Sequence, residues 1–188
     1  MASQSKHRRF FRNEDEERRI EYQHEEINKI ELKKLYNYMH DLYGIEPKVL
    51  DAIVLLKKGK DVWITTKHTQ NILAHEKKFT INSLGMRAIR NAFDVPKLTT
   101  NFVIFLNDKI TKNYYDMNDQ ELEDYIHGYE FKSRYNNDFK NYLIMKYKNV
   151  VYGVGLISND VIKSQVPKGR KLKNQLNQKE IYTEVEED

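Results

Sequence analysis

The sequence contains no cysteine. That excludes a disulfide framework, a thiolate zinc finger, an iron–sulfur site and a thiolate nucleophile. It also fits a reducing compartment. Apolar residues are scarce, at 39% of 188 residues, against the roughly 45–50% usual for globular domains. The core is therefore expected to be lean and part of the chain solvated. No apolar run approaches the roughly 20 residues that span a bilayer. The basic opening stretch, Met1 to Asn13, is not followed by an apolar segment, so no secretory signal is expected. Together these absences predict a cytoplasmic protein with no membrane partner.

Catalytic signatures are missing as well. There is no GxSxG and no Ser/His/Asp pattern. The histidines, His7, His24, His40, His68, His75 and His127, show neither HExxH nor HxH spacing and read as surface residues. Glu121, Glu123 and Asp124 fall in the first turns of a short helix, where the helix dipole accounts for them. The GxG at Gly153 and Gly155 lies inside an apolar run leading to another turn and strand. A dinucleotide loop must instead follow a strand and open a helix. These glycines are expected to relieve crowding or allow a bulge in a curved sheet. No cofactor is expected, and no enzymatic activity.

What the chain does have is unevenly placed charge. Residues 1–26 carry 6 basic and 7 acidic groups, residues 27–173 carry 25 and 16, and residues 174–188 carry 1 and 5. A cationic middle followed by an anionic tail points to a polyanionic partner. Residues 1–26 read as a charged flexible arm too poor in apolar groups to bury a face, and residues 174–188 as an acidic tail.

Between them the apolar pattern predicts an α+β protein of two modules. In residues 27–110, Leu32, Leu35, Met39 and Leu42 fall on one side of a helix from Ile27 to Tyr43, stopped by Gly44 and Pro47. One further helical turn is expected between Glu46 and Asp51. A β-hairpin follows, Ile53–Lys57 and Asp61–Thr66 around Gly59. Thr80–Ala92 is expected to supply two strands around Gly85. Leu98, Phe102, Phe105 and Leu106 form a second helical stripe. In residues 111–173, Asn118 with Glu121 has the spacing of a capping box, and Gly128 ends that helix. The remainder is β-rich: Tyr142–Tyr147 and Val150–Ile157 joined by Lys148-Asn149, then Val161–Gln165.

Two basic clusters are candidate RNA contacts. Lys163, Lys168, Arg170, Lys171 and Lys173 surround Pro167 and Gly169 in an exposed loop. There, Ser164 and Gln165 are placed to hydrogen-bond sugar or base edges. Lys57, Lys58 and Lys60 lie on the first hairpin, with Arg87 and Arg90 on a neighbouring strand. Trp63 is expected to pack in the core.

The segments LLKKGKDVWITT (Leu55–Thr66) and YLIMKYKNVVYGVGLISNDVIKSQVPKGRKL (Tyr142–Leu172) resemble small archaeal proteins related to the Sun/Fmu family of rRNA cytosine methylases and ribosome-biogenesis factors. The second segment, with the helix Asn118–His127 before it, is similar to a PUA-type RNA-binding domain. The resemblance covers about residues 30–173. It implies a small α/β module followed by a PUA-like β pseudobarrel, with Lys163, Ser164, Gln165, Lys168, Gly169 and Arg170 lining the family's motif loop. Cytosine C5-methylation in that enzyme class uses a cysteine nucleophile, which this chain lacks. The expectation is therefore a non-catalytic protein that binds rRNA or tRNA, in ribosome biogenesis or beside a separate RNA-modifying enzyme or pre-ribosomal particle. An RNA cytosine methyltransferase or a protein–protein adaptor rich in tyrosine are the alternatives.

Overall fold

A computed structural model describes residues 24–69, 84–135 and 141–172. These form an α+β protein with two five-stranded sheets, one of them curled into a half-barrel. The chain divides into two compact units. Among the described residues, one comprises those up to Asp41 together with those between Ile45 and Phe102, and the other Leu42–Gly44 together with those from Val103 to Leu172.

The first unit contains β1 (Glu25–Glu26), most of α1 (Lys29–Tyr43), β2 (Ile53–Lys58), β3 (Asp61–Thr66), β4 (Met86–Arg90) and β5 (Lys97–Leu98). The strands are antiparallel in the order β1-β2-β3-β4-β5. Helix α1 starts where the Asn28 side chain accepts from Glu31 N (2.9 Å) and donates to Glu31 Oε2 (2.7 Å). Its buried residues, Leu35, Met39 and Tyr43, recur every fourth position. The turn expected after Glu46 is a 3₁₀ helix, Pro47–Leu50.

Directly opposed residues share a sheet face. Leu55 opposes Ile64, Val62 opposes Ile89, and Ile89 opposes Leu98; all five are buried. Helix α1 is tied to this side, since Lys57, opposite Val62, meets Glu31 Oε1 at 3.3 Å. The first unit's core lies here.

Four details differ from the sequence reading. Glu25 and Glu26, assigned to the flexible arm, pair with Lys57 and Leu56 as an edge strand. Around Gly85 the described residues hold one strand, β4; residues 80–83 lie outside them. Leu98 is in β5 rather than on the second helical stripe, because helix α2 (Thr100–Leu106) begins only after Thr99, whose Oγ1 accepts from Phe102 N. Phe105 of that helix is 55% exposed, while Phe102, Val103 and Leu106 are buried.

The second unit contains β6 (Tyr114–Asp116), α3 (Asp119–His127), β7 (Glu130–Lys132), β8 (Tyr142–Tyr147), β9 (Val150–Ser158) and β10 (Val161–Ser164). The strand order is β6-β8-β9-β10-β7, with β6 parallel to β8 and the other pairs antiparallel. The connections β8–β9 and β9–β10 turn on Lys148-Asn149 and Asn159-Asp160, all four with positive φ, as a two-residue type I′ hairpin demands. Tyr115, Leu143, Met145 and Ile162 make the buried face, against Tyr125 and Met117.

The expected bulge is present. Met145 pairs with Gly153 but Lys146 with Val151, which leaves Tyr152 as the extra residue. Gly155 is needed for close approach: a Cβ there would lie 2.6 Å from Met145 Sδ and 3.0 Å from Ile162 Cγ2.

Helix α3 carries the full capping box. Glu121 N donates to Asn118 Oδ1, and Asn118 N donates to Glu121 Oε2, both at 2.8 Å. Gly128, with φ of 84°, closes the helix in the left-handed conformation. Glu121 does more than complement the dipole. Its carboxylate is buried and accepts from Tyr115 Oη and Arg134 Nε, each at 2.7 Å.

Candidate nucleic-acid interface

In the first unit the strand pleat separates the predicted residues. Lys57 points to the core side, where it pairs with Glu31 and lies 4.6 Å from the Phe93 ring centroid. Lys58, its neighbour, must point the other way. There it sits 5.2 Å from the centroid of Trp63. Lys60 is exposed in the hairpin turn. Arg87 opposes Trp63, and Arg90 opposes Lys97 on the same face.

Trp63 is thus not in the core. Val62 and Ile64 face the core and Trp63 faces away, half-buried, with the His24 ring edge-on at 5.8 Å. His24 itself is only 7% exposed, against the expectation of surface histidines. It is drawn in because the chain here forms strand β1 rather than an arm. His7 and His75 lie outside the described residues.

Lys58, Arg87, Arg90 and Lys97 therefore share one face with Trp63. Sequence reasoning missed Lys97, although its spacing from Pro96 marks no pattern that would have flagged it. Two acidic groups share this face: Asp61, which accepts from Arg87 Nη1 and Asn91 N at 3.0 Å each, and Glu26, which opposes Leu56 beside Trp63. Burial, and then the positive charge of Arg90, hold the Lys97 ammonium below its ordinary pKa. Among the described residues four cations and two carboxylates thus share this face, and an excess of positive charge favours the approach of an anion.

In the second unit the predicted residues divide between structural and exposed roles. Ser164 Oγ donates to Tyr125 O at 2.7 Å and accepts from Val166 N at 3.3 Å, so its hydroxyl is engaged within the fold. Gln165 N donates to Val154 O. Lys163 pairs with Glu130 across the β10–β7 ladder at 3.3 Å, with both side chains largely exposed. Lys168, Gly169 and Arg170 form an exposed 3₁₀ turn after Pro167. Lys171 Nζ approaches Gly128 O at 3.4 Å, at the carbonyl end of α3, where a cation is favoured. Lys173 lies outside the described residues, as does the acidic tail.

Among the described residues no group of three His, Asp or Glu side chains is placed to hold a metal ion. Nor, among them, is any helix long and apolar enough to cross a membrane. No protein-family model matches the chain, and a search of curated proteins finds no match.

Proposed function

We propose that this protein binds RNA without acting on it chemically. The RNA is rRNA or tRNA, and the setting is ribosome biogenesis or RNA modification in the cytoplasm, beside a separate modifying enzyme or pre-ribosomal particle. On this reading the second unit is a PUA-like RNA-binding domain and the first a companion α/β module.

The observation that carries the proposal is the shared face of Lys58, Arg87, Arg90 and Lys97 around Trp63. Lysine and arginine neutralise backbone phosphates and release counterions. A flat aromatic side chain among them accepts exposed bases, which is how single-stranded RNA is usually held. The exposed turn Lys168–Arg170 adds a second cationic surface in its own unit.

The test is titration of the full chain with structured rRNA and tRNA fragments by fluorescence anisotropy, alongside calorimetry with S-adenosylmethionine. Tight binding at low salt that weakens steeply as salt rises supports the proposal. Absence of RNA binding at low salt overturns it, and clear binding of S-adenosylmethionine replaces it with a methyltransferase.

A further inference from the structure

The carboxy-terminal end of α3 holds an aromatic pair that the RNA-binding residues discussed so far do not include. His127 and Tyr129 are stacked, with ring planes 14° apart and centroids separated by 5.9 Å. This is an offset stack, the favoured arrangement of two flat rings. Both partners are held by the backbone of the helix end. His127 Nδ1 donates to Glu123 O at 2.8 Å, which sets the ring orientation. Gly128 N donates to Tyr125 O and Tyr129 N to Asp124 O, which fixes where the tyrosine leaves the helix. Tyr129 is nonetheless 50% exposed.

The basic loop docks at this same helix end through three links. Ser164 Oγ donates to Tyr125 O, Leu172 N to Ile126 O at 3.1 Å, and Lys171 Nζ to Gly128 O. An added Cβ on Gly128 would collide with the Lys171 side chain. Lys171 therefore stands within one residue of Tyr129, and the exposed Lys168 and Arg170 follow the same turn. One cation at a helix carbonyl end is accounted for by the dipole. Lys171 stands next to a stacked and exposed ring, and Lys168 and Arg170, exposed in the turn just before it, bring the cations to three in four positions, more than the dipole needs.

We propose that Tyr129, held against His127, is a stacking platform for an unpaired nucleobase, with Lys171 and Arg170 taking the adjoining phosphates. The inference rests on the RNA-binding reading and assigns it a second, base-contacting site. A ring that is already oriented loses little freedom when a base stacks on it. The base must be unpaired, because paired bases have both faces covered within the helix.

The experiment compares two RNAs of equal length, one a hairpin with an unpaired loop and one fully paired. The full chain is measured as wild type, Tyr129→Ala, Tyr129→Leu and Tyr129→Phe, with near-ultraviolet circular dichroism to check folding. Ala and Leu should each weaken loop binding by about tenfold, Leu because it keeps bulk but offers no π-face. Phe should stay within about twofold, and the paired RNA should bind all four proteins alike. Wild-type RNA binding that is unchanged by Ala and Leu overturns this site and leaves the functional reading intact. Equal losses on both RNAs also overturn it, since they indicate a phosphate or folding effect. Failure of the wild type to bind either RNA at low salt overturns the functional reading itself.

Discussion

Arg134 Nε lies 2.7 Å from Glu121 Oε1, and Arg134 Nη2 lies 3.0 Å from Glu121 Oε2. The pair is bidentate, the strongest geometry available to these groups. The carboxylate is buried at 6% exposure, and the guanidinium covers it from solvent. Arg134 also donates from Nη2 to Asp116 O and from its backbone N to Tyr115 Oη, and it lies over the rings of Tyr115 and Tyr135. One side chain thus joins β6, the start of α3 and the segment after β7.

Removing the carboxylate alone leaves several donors without their acceptor. Glu121→Ala should destabilise the second unit by about 2–4 kcal/mol, more than typical loss of a capping residue. Urea denaturation followed by far-ultraviolet circular dichroism checks this. A loss under about 0.5 kcal/mol would mean the network relaxes without cost.

The same group sets an acid dependence. Burial by itself raises the Glu121 pKa, but hydrogen bonds from Arg134, Tyr115 and Asn118 N, with the Arg134 charge, hold it below its ordinary 4.5. A carboxyl depressed in the folded state contributes stability that is fully present above the unfolded-state value. That contribution is lost as pH falls through the folded-state value. Stability should therefore drop with acidification below about 4.5, and Glu121→Gln should flatten the drop. Denaturation midpoints measured between neutral and acid pH give the comparison.

Close packing at Gly155 yields a third expectation. Gly155→Val should cost about 1–3 kcal/mol through overpacking against Met145 and Ile162. Shortening Met145 to Ala in the same chain should recover part of that loss, because it removes the obstructing sulfur. Thermal melts of the single and double variants decide the matter; additive losses would contradict it.

How much of this was legible in sequence depends on how local the cause is. The capping box at Asn118 and Glu121 and the two-residue loop Lys148-Asn149 are each set within four residues, and both appear where sequence puts them. The Arg134–Glu121 pair spans thirteen residues with no periodic pattern between, so nothing in the sequence announces it. For Lys57 and Lys58 the signal was present. Adjacent strand residues face opposite sides, so one of the two had to leave the cluster. Trp63 was assigned to the core although the same alternation allows only one of two sets, Trp63 or Val62 with Ile64, to face it. The structure buries the aliphatic set. The stack of His127 on Tyr129 depends on how the chain leaves Gly128, which residue types alone do not specify.

Reversing charge on the sheet face should separate electrostatics from fold. Lys58→Glu with Arg90→Glu should weaken RNA binding by at least tenfold at low salt. The same reversals at Lys33 and Lys34, exposed on α1, should have a much smaller effect. Anisotropy titrations of both double variants against one tRNA fragment provide the check. Equal losses would mean that only net charge matters.

The most direct test is the slope of log affinity against log salt for structured RNA, measured on the wild type and on the Lys58→Glu, Arg90→Glu protein. The proposal predicts a steep negative slope that becomes shallower by roughly 0.7–0.9 for each phosphate contact removed. A wild-type slope near zero, or one the substitutions leave unchanged, would contradict it.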